Sequence, residues 1–214
     1  VGYTYKFDNR TTGLTPNRGV YFQFGQDFLG VGGDVKAITT TALLGAEMKV
    51  MNEDVTLRAE VEGGNIHMLS GQDSRVTDRF FLRGKMRGFE SSGIGPRDLS
   101  VSNEDALGGN IFAVARLEAE FPLGLPQEYG ISGGLFWDVG SVWSLDDTQG
   151  GPYYGSCPIA SCEVDDSLHW RSAVGFSVFW TSPLGPLRFN FSKALVKQDY
   201  DREQNFDFTV STRF

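Results

Sequence analysis

The chain has 214 residues, with 27 acidic side chains against 19 basic ones and a formal net charge of -8 at pH 7. That balance excludes a nucleic-acid partner, because phosphate binding needs a basic face. Hydrophobic residues at 40% and charged residues at 21% exclude a disordered or low-complexity chain, and the lack of any run of about eighteen apolar residues excludes a transmembrane helix.

Two classes remain, a soluble β protein and a membrane β-barrel, whose hydropathy signal is weak by construction. There are 27 glycines, and aromatics reach 13% with 17 phenylalanines, which suggests many strands and turns. The chain begins at Val1 with no signal-like segment before the fold, and so reads as a mature or excised piece.

In chain order, residues 1–7, 20–28 and 35–50 read as strands of modest contrast. "DVTLRAEVEGG" is cleaner, with Val55, Leu57, Ala59 and Val61 opposite Arg58, Glu60 and Glu62. A very long connection follows, over about 67–107. "GNIFAVARLEAEF" then puts Ile111, Ala113, Leu117 and Phe121 opposite Arg116, Glu118 and Glu120. "YGISGGLFWDVGSVW" follows a short turn and precedes a second long loop over about 144–167. "LHWRSAVGFSVFW" and "PLRFNFSKAL" flank a tight "SPLGP" turn. The chain closes on "NFDFTVSTRF", with Phe206, Phe208, Val210 and Phe214 on one face and Asp207 and Arg213 on the other.

That makes about nine strands, several near the 9–11 residues that cross a bilayer at a tilt. Alternation alone does not separate a sandwich from a barrel. Aromatics at strand ends (Tyr129, Trp143, Trp170, Trp180, Phe214) and the alternation of short turns with long loops favour the all-β transmembrane antiparallel barrel. Closing a barrel removes exposed edges. An odd set of strands therefore suggests a partial barrel whose first strands are absent, making residues 1–214 the C-terminal part of a larger barrel domain.

The long connection contains "GKMRGFESSGIGPRD". In "LFWDVG", Leu135 and Trp137 form the apolar face, which turns Phe136 and Asp138 toward the lumen. Arg87 could bond Asp138 bidentately and stack on Phe136, with Gly84 and Gly88 permitting a hairpin tip. From periodicity alone, this anchored arginine and a solvated one in a mobile loop stand level.

"MRGF", "GIGPRD", "GGN", "FWDVG", "SPLGPLRF" and a terminal aromatic strand occur here in that order. The ordered set resembles the C-terminal half of the barrel in the bacterial outer-membrane protein assembly factors, within the BamA/TamA surface-antigen superfamily. The lead-in "LRGKMRGF", with Met86 before the arginine, departs from the family's Gly-rich pattern. The resemblance implies a barrel of about sixteen strands in the bacterial cell outer membrane, preceded by periplasmic POTRA domains of the same chain. It implies a lumen anchor of Arg87, Gly88 and Phe89 on Phe136 and Asp138. It also implies a seam at the terminal strand (Phe206, Phe208, Val210, Phe214) that opens sideways to template client strands by β-augmentation.

The implied function is a non-enzymatic insertase for unfolded outer-membrane β-barrel clients, working among outer-membrane lipids and assembly-complex lipoproteins. The alternative is a sister polypeptide transporter, either an autotransporter assembly factor or a two-partner-secretion pore. A diffusive porin or barrel enzyme ranks third.

Cys157 and Cys162 lie in "CPIASC" with Pro158 between them, which favours a small loop disulfide over a metal site. The lumen carboxylates could pair for acid–base chemistry, but a salt-bridged interior is the better reading. No Ser-His-Asp order, nucleophile elbow or phosphate-binding "GxxxxGK[ST]" is present, so no catalytic residue, metal or cofactor is expected.

Overall fold

The structure is a computed structural model that describes residues 1–10, 18–30, 32, 35–52, 54–69, 71–99, 103–148, 164–182 and 185–210. Four strands open the chain: β1 (Gly2–Asp8), β2 (Arg18–Leu29), β3 (Ala37–Val50) and β4 (Val55–Met68). Three two-residue strands sit in the long connection, β5 (Gly88–Phe89), β6 (Arg97–Asp98) and β7 (Asp105–Ala106). Next come β8 (Ile111–Pro122), β9 (Ile131–Trp143), β10 (Arg171–Ser182) and β11 (Gly185–Val196). The chain ends with the two-residue β12 (Glu203–Gln204) and with β13 (Phe206–Val210).

The nine longer strands form one sheet in the order β1-β2-β3-β4-β8-β9-β10-β11-β13, and every neighbouring pair is antiparallel. Among the described residues β1 and β13 are each paired on one side, so the sheet is open.

The two faces differ as the alternation requires. Tyr3, Tyr5, Leu44, Val61, Leu117, Leu135, Trp137, Phe176, Phe206 and Phe208 are all exposed large hydrophobics on the outward side. Such a face suits hydrocarbon rather than water. Leu135, in mid-strand on β9, is 57% exposed. Leu135→Arg is therefore expected to cost roughly 2–4 kcal/mol in a bilayer, as a charge facing lipid near mid-depth does. Urea titration of vesicle-inserted protein would read this as a lower unfolding midpoint.

The core lies on the inward side. Leu82, Met86, Phe89 and Ile94 of the long connection pack on Phe112 and Val114 of β8, Val142 of β9 and Ala173 of β10. The sheet thus wraps the connection, and the loop and the wall contribute together to the buried apolar cluster.

Two strand boundaries depart from the periodic pattern. Residues 168–170 continue the alternation, yet β10 starts at Arg171. The His169 carbonyl accepts from Ser141 Oγ at 2.6 Å and from Arg171 Nη1 at 2.8 Å instead of joining a ladder. Conversely, β4 runs past its glycines to Met68, because its ladder with β3 continues to the Ala37↔Met68 pair.

Candidate functional site

Gly84 and Gly88 adopt φ of 65° and 90°, a left-handed region that favours glycine. They bracket the tip that carries Arg87. Between them Met86 is 4% exposed and joins the inward core, which fixes the tip against the wall. A Cβ at Gly88 would stand 2.7 Å from Ala173 Cβ, so the backbone lies flush on β10. Gly88→Ala is expected to lift the tip at a cost of about 1–3 kcal/mol, combining overpacking with an unfavourable φ. Faster protease nicking within residues 84–99, at unchanged membrane yield, would be the readout.

Arg87 reaches its destination on β9. Its Nε and Nη2 donate to Asp138 Oδ2 and Oδ1 at 2.7 and 2.6 Å, and its backbone N–H donates to Oδ2 at 3.0 Å. The guanidinium carbon lies 3.6 Å from the Phe136 ring centroid. Asp138 is 0% exposed and Phe136 5%. A planar fork suits this site because it meets both carboxylate oxygens while stacking on the ring.

The alternation placed Phe136 and Asp138 inward, and it had also placed Glu118 inward without giving it a partner. The structure supplies one: Arg87 Nη1 donates to Glu118 Oε2 at 2.5 Å. The signal was available in the register, since Glu118 on β8 stands directly opposite Phe136 on β9.

Charges around the tip are paired throughout the inward face. Arg58 donates to Glu120 at 2.7 Å and to Glu47 at 3.2 Å. Arg116 bonds Glu60 at 2.8 Å and Glu62 at 3.0 Å, and caps the Lys85 carbonyl at 3.0 Å. Lys85 also pairs with Glu62. Arg58, Glu60, Glu62, Arg116 and Glu120 are among the residues whose alternation suggested a salt-bridged interior, and each lies in an ion pair; Glu47 and Lys85 join them.

Gly88 and Phe89 do not end in empty space. As β5 they pair with β12, Phe89 opposite Glu203 and Gly88 opposite Gln204, just before the terminal strand. A second buried pair holds the same region: Arg171 Nε and Nη2 donate to Asp201 Oδ2 and Oδ1 at 2.9 and 3.0 Å. Their side chains are 1% and 0% exposed. The outer part of the connection is tied down too, with the Ser74 N–H donating to Asp146 at 2.8 Å. Burial pushes the Asp146 carboxyl up, but the hydrogen bonds from Ser74 and Asn110 and the charge of Arg79 together outweigh this and hold it below its ordinary range.

Phe206, Phe208 and Val210 line the outward side of β13, and each is exposed. Cys157, Cys162 and Phe214 lie outside the described residues. Among the described residues no cluster of three or more His, Cys, Asp or Glu side chains could hold a metal ion.

Comparison with known proteins fits this geometry. The model of the Omp85 superfamily domain matches residues 1–214. The chain is 36% identical over 214 residues to the outer membrane protein assembly factor BamA of Neorickettsia risticii, covering 100% of this chain and 27% of that protein. It is 34% identical over 170 residues to the protein of the same name from Neisseria meningitidis serogroup B, covering 71% of this chain and 21% of that one. The chain therefore spans about a quarter of the length of these curated relatives. A crystal structure of BamA from Haemophilus ducreyi lacking POTRA domains 1–3 superposes with a TM-score of 0.78 at 21% identity. That match covers 98% of this chain and 41% of the other, and it shows the fold.

Proposed function

The chain belongs to the Omp85 superfamily, and from that premise we propose that it forms the C-terminal part of the barrel of an outer-membrane protein assembly factor. The protein folds and inserts β-barrel clients into the bacterial outer membrane, without a chemical step of its own. The observation that carries this reading is the Arg87 tip bound to Asp138, Glu118 and Phe136 inside the sheet, in a chain 36% identical along its whole length to a protein named for that activity. A seam at β13 that opens would suit client strands, because an unpaired ladder adds an extended segment by main-chain hydrogen bonds. Periplasmic POTRA domains of the same chain, lipoproteins of an assembly complex and the surrounding lipids complete the machine. The interior ion pairs hold shape, and no cofactor is needed, since client folding itself supplies the driving force.

The test uses the full-length protein in vesicles and an unfolded barrel client. Folding, read by heat-modifiable migration and protease protection, is expected to run faster than in empty vesicles. Equal rates would overturn the reading. Delivery of the client across the vesicle wall, rather than into it, would favour a sister transporter instead.

A further inference from the structure

We infer that the long connection is a latch on the terminal strand: the Arg87 anchor and the pairing of β13 with β11 are two ends of one linked equilibrium, with Glu118, Arg188 and Asn190 as positioning residues between them. The inference rests on the functional reading above for its biological meaning, and on the contacts alone for its physics.

Among the described residues β13 pairs with β11 from Leu187↔Val210 to Phe191↔Phe206. What fixes it is the stretch just before Phe206, and the connection grips that stretch repeatedly. The Glu90 N–H donates to the Arg202 carbonyl and the Arg202 N–H to the Gly93 carbonyl, each at 3.0 Å. Arg202 Nη2 donates to the Asn103 carbonyl at 2.7 Å. The β5–β12 pairs lie between these contacts and β13.

A side-chain path runs in parallel. Arg87 and Arg188 both donate to Glu118 Oε2. Arg188 Nε donates to Asn190 Oδ1 at 2.8 Å, and Ser177 Oγ donates to the same oxygen at 2.7 Å. With its oxygen so occupied, the amide of Asn190 presents Nδ2 to Asp207 Oδ2 at 3.2 Å, across the β11–β13 ladder. Asn190 is 2% exposed. Each group in this path fixes the orientation of the next, from the loop tip to the terminal strand.

Simple charge neutralisation of the interior would require none of this. It would leave residues 202–204 free of the connection and Asn190 free to turn.

The test is amide hydrogen exchange on the full-length protein in vesicles. Asp138→Asn, which weakens the anchor on β9, is expected to speed exchange about tenfold or more at 206–210 as well as at 87–90. The β3–β4 ladder should keep its wild-type rates. Faster exchange at 87–90 with 206–210 unchanged would overturn the latch. Arg188→Leu is expected to speed exchange at 206–210 and, because linkage is reciprocal, also at 87–90; no change at 206–210 would remove the side-chain path.

A second variant guards against misfolding of the first. Phe89→Cys with Glu203→Cys places two thiols at paired positions, and oxidation should slow exchange at 206–210 relative to the reduced form, with the parent chain under the same treatment as control. Equal rates in the two forms would overturn the proposal. These readouts need no client, so a failed client-folding assay leaves them intact and would count against the functional reading alone.

Discussion

Asp138→Ala is expected to destabilise the folded protein by about 3–5 kcal/mol, the usual result of breaking a buried ion pair from one side. Asp138 accepts three hydrogen bonds from Arg87 and is fully buried. Its removal leaves a guanidinium held by Glu118 alone, over the Phe136 ring and away from water. Asp138→Asn should cost less, because an amide keeps the shape but offers a single acceptor oxygen to a bidentate donor. Urea unfolding of the full-length protein in vesicles would measure both, with protease access to the long connection reporting where the loss falls. An alanine variant within about 0.5 kcal/mol of wild type would behave like an ordinary surface substitution and would contradict the geometry described here.

Arg171→Ala should be as costly, again about 3–5 kcal/mol, but with a different footprint. Arg171 pairs with Asp201 inside the fold, and Asp201 also accepts the Gln198 N–H at 2.7 Å. Loss of the guanidinium strands that carboxylate and loosens the segment leading to the terminal strand. Asp201→Ala should look similar, and the double variant should cost less than the two single costs added together, since the second change removes a charge already left unpaired. An additive result would mean that the two residues act separately.

Much of this structure could be read in the alternation of the chain. All nine long strands follow from it, because a face against hydrocarbon and a face against a charged interior impose a period of two along every strand. The inward placement of Phe136 and Asp138 came from the same rule; the glycines of "LRGKMRGF" permitted a hairpin tip, but only the family resemblance put Arg87 on those two residues. Glu118 was visible as an inward carboxylate, but its role needed the β8–β9 register, which the pattern of one strand does not carry. The β5–β12 bridge was invisible: two residues have no period, and Phe89 and Glu203 lie far apart in the chain. Arg171 and Asp201 escaped for a related reason. An isolated arginine at a strand end and an aspartate in a loop look like surface charges until tertiary packing buries them. Strand ends shifted where a side chain took over a carbonyl, as Arg171 and Ser141 do at His169.

The packing of the long connection against β8, β9 and β10 bears on how the chain reaches its native state. β1 to β4 form a meander of neighbouring hairpins, and so do β8 to β13. The β4–β8 ladder, from Asn65↔Ile111 to Thr56↔Glu120, joins these two halves across the whole of residues 69–110. Closing so long a loop carries an entropic cost before any ladder contact forms. Phe89, Met86 and Ile94 come from that same stretch and pack on β8, β9 and β10. Docking them early would draw the halves together and shorten the search. On this view the slow step of folding is the meeting of two ready-made meanders, and substitutions at Met86 or Phe89 should slow refolding, whereas those in the β1–β2 hairpin should chiefly speed unfolding.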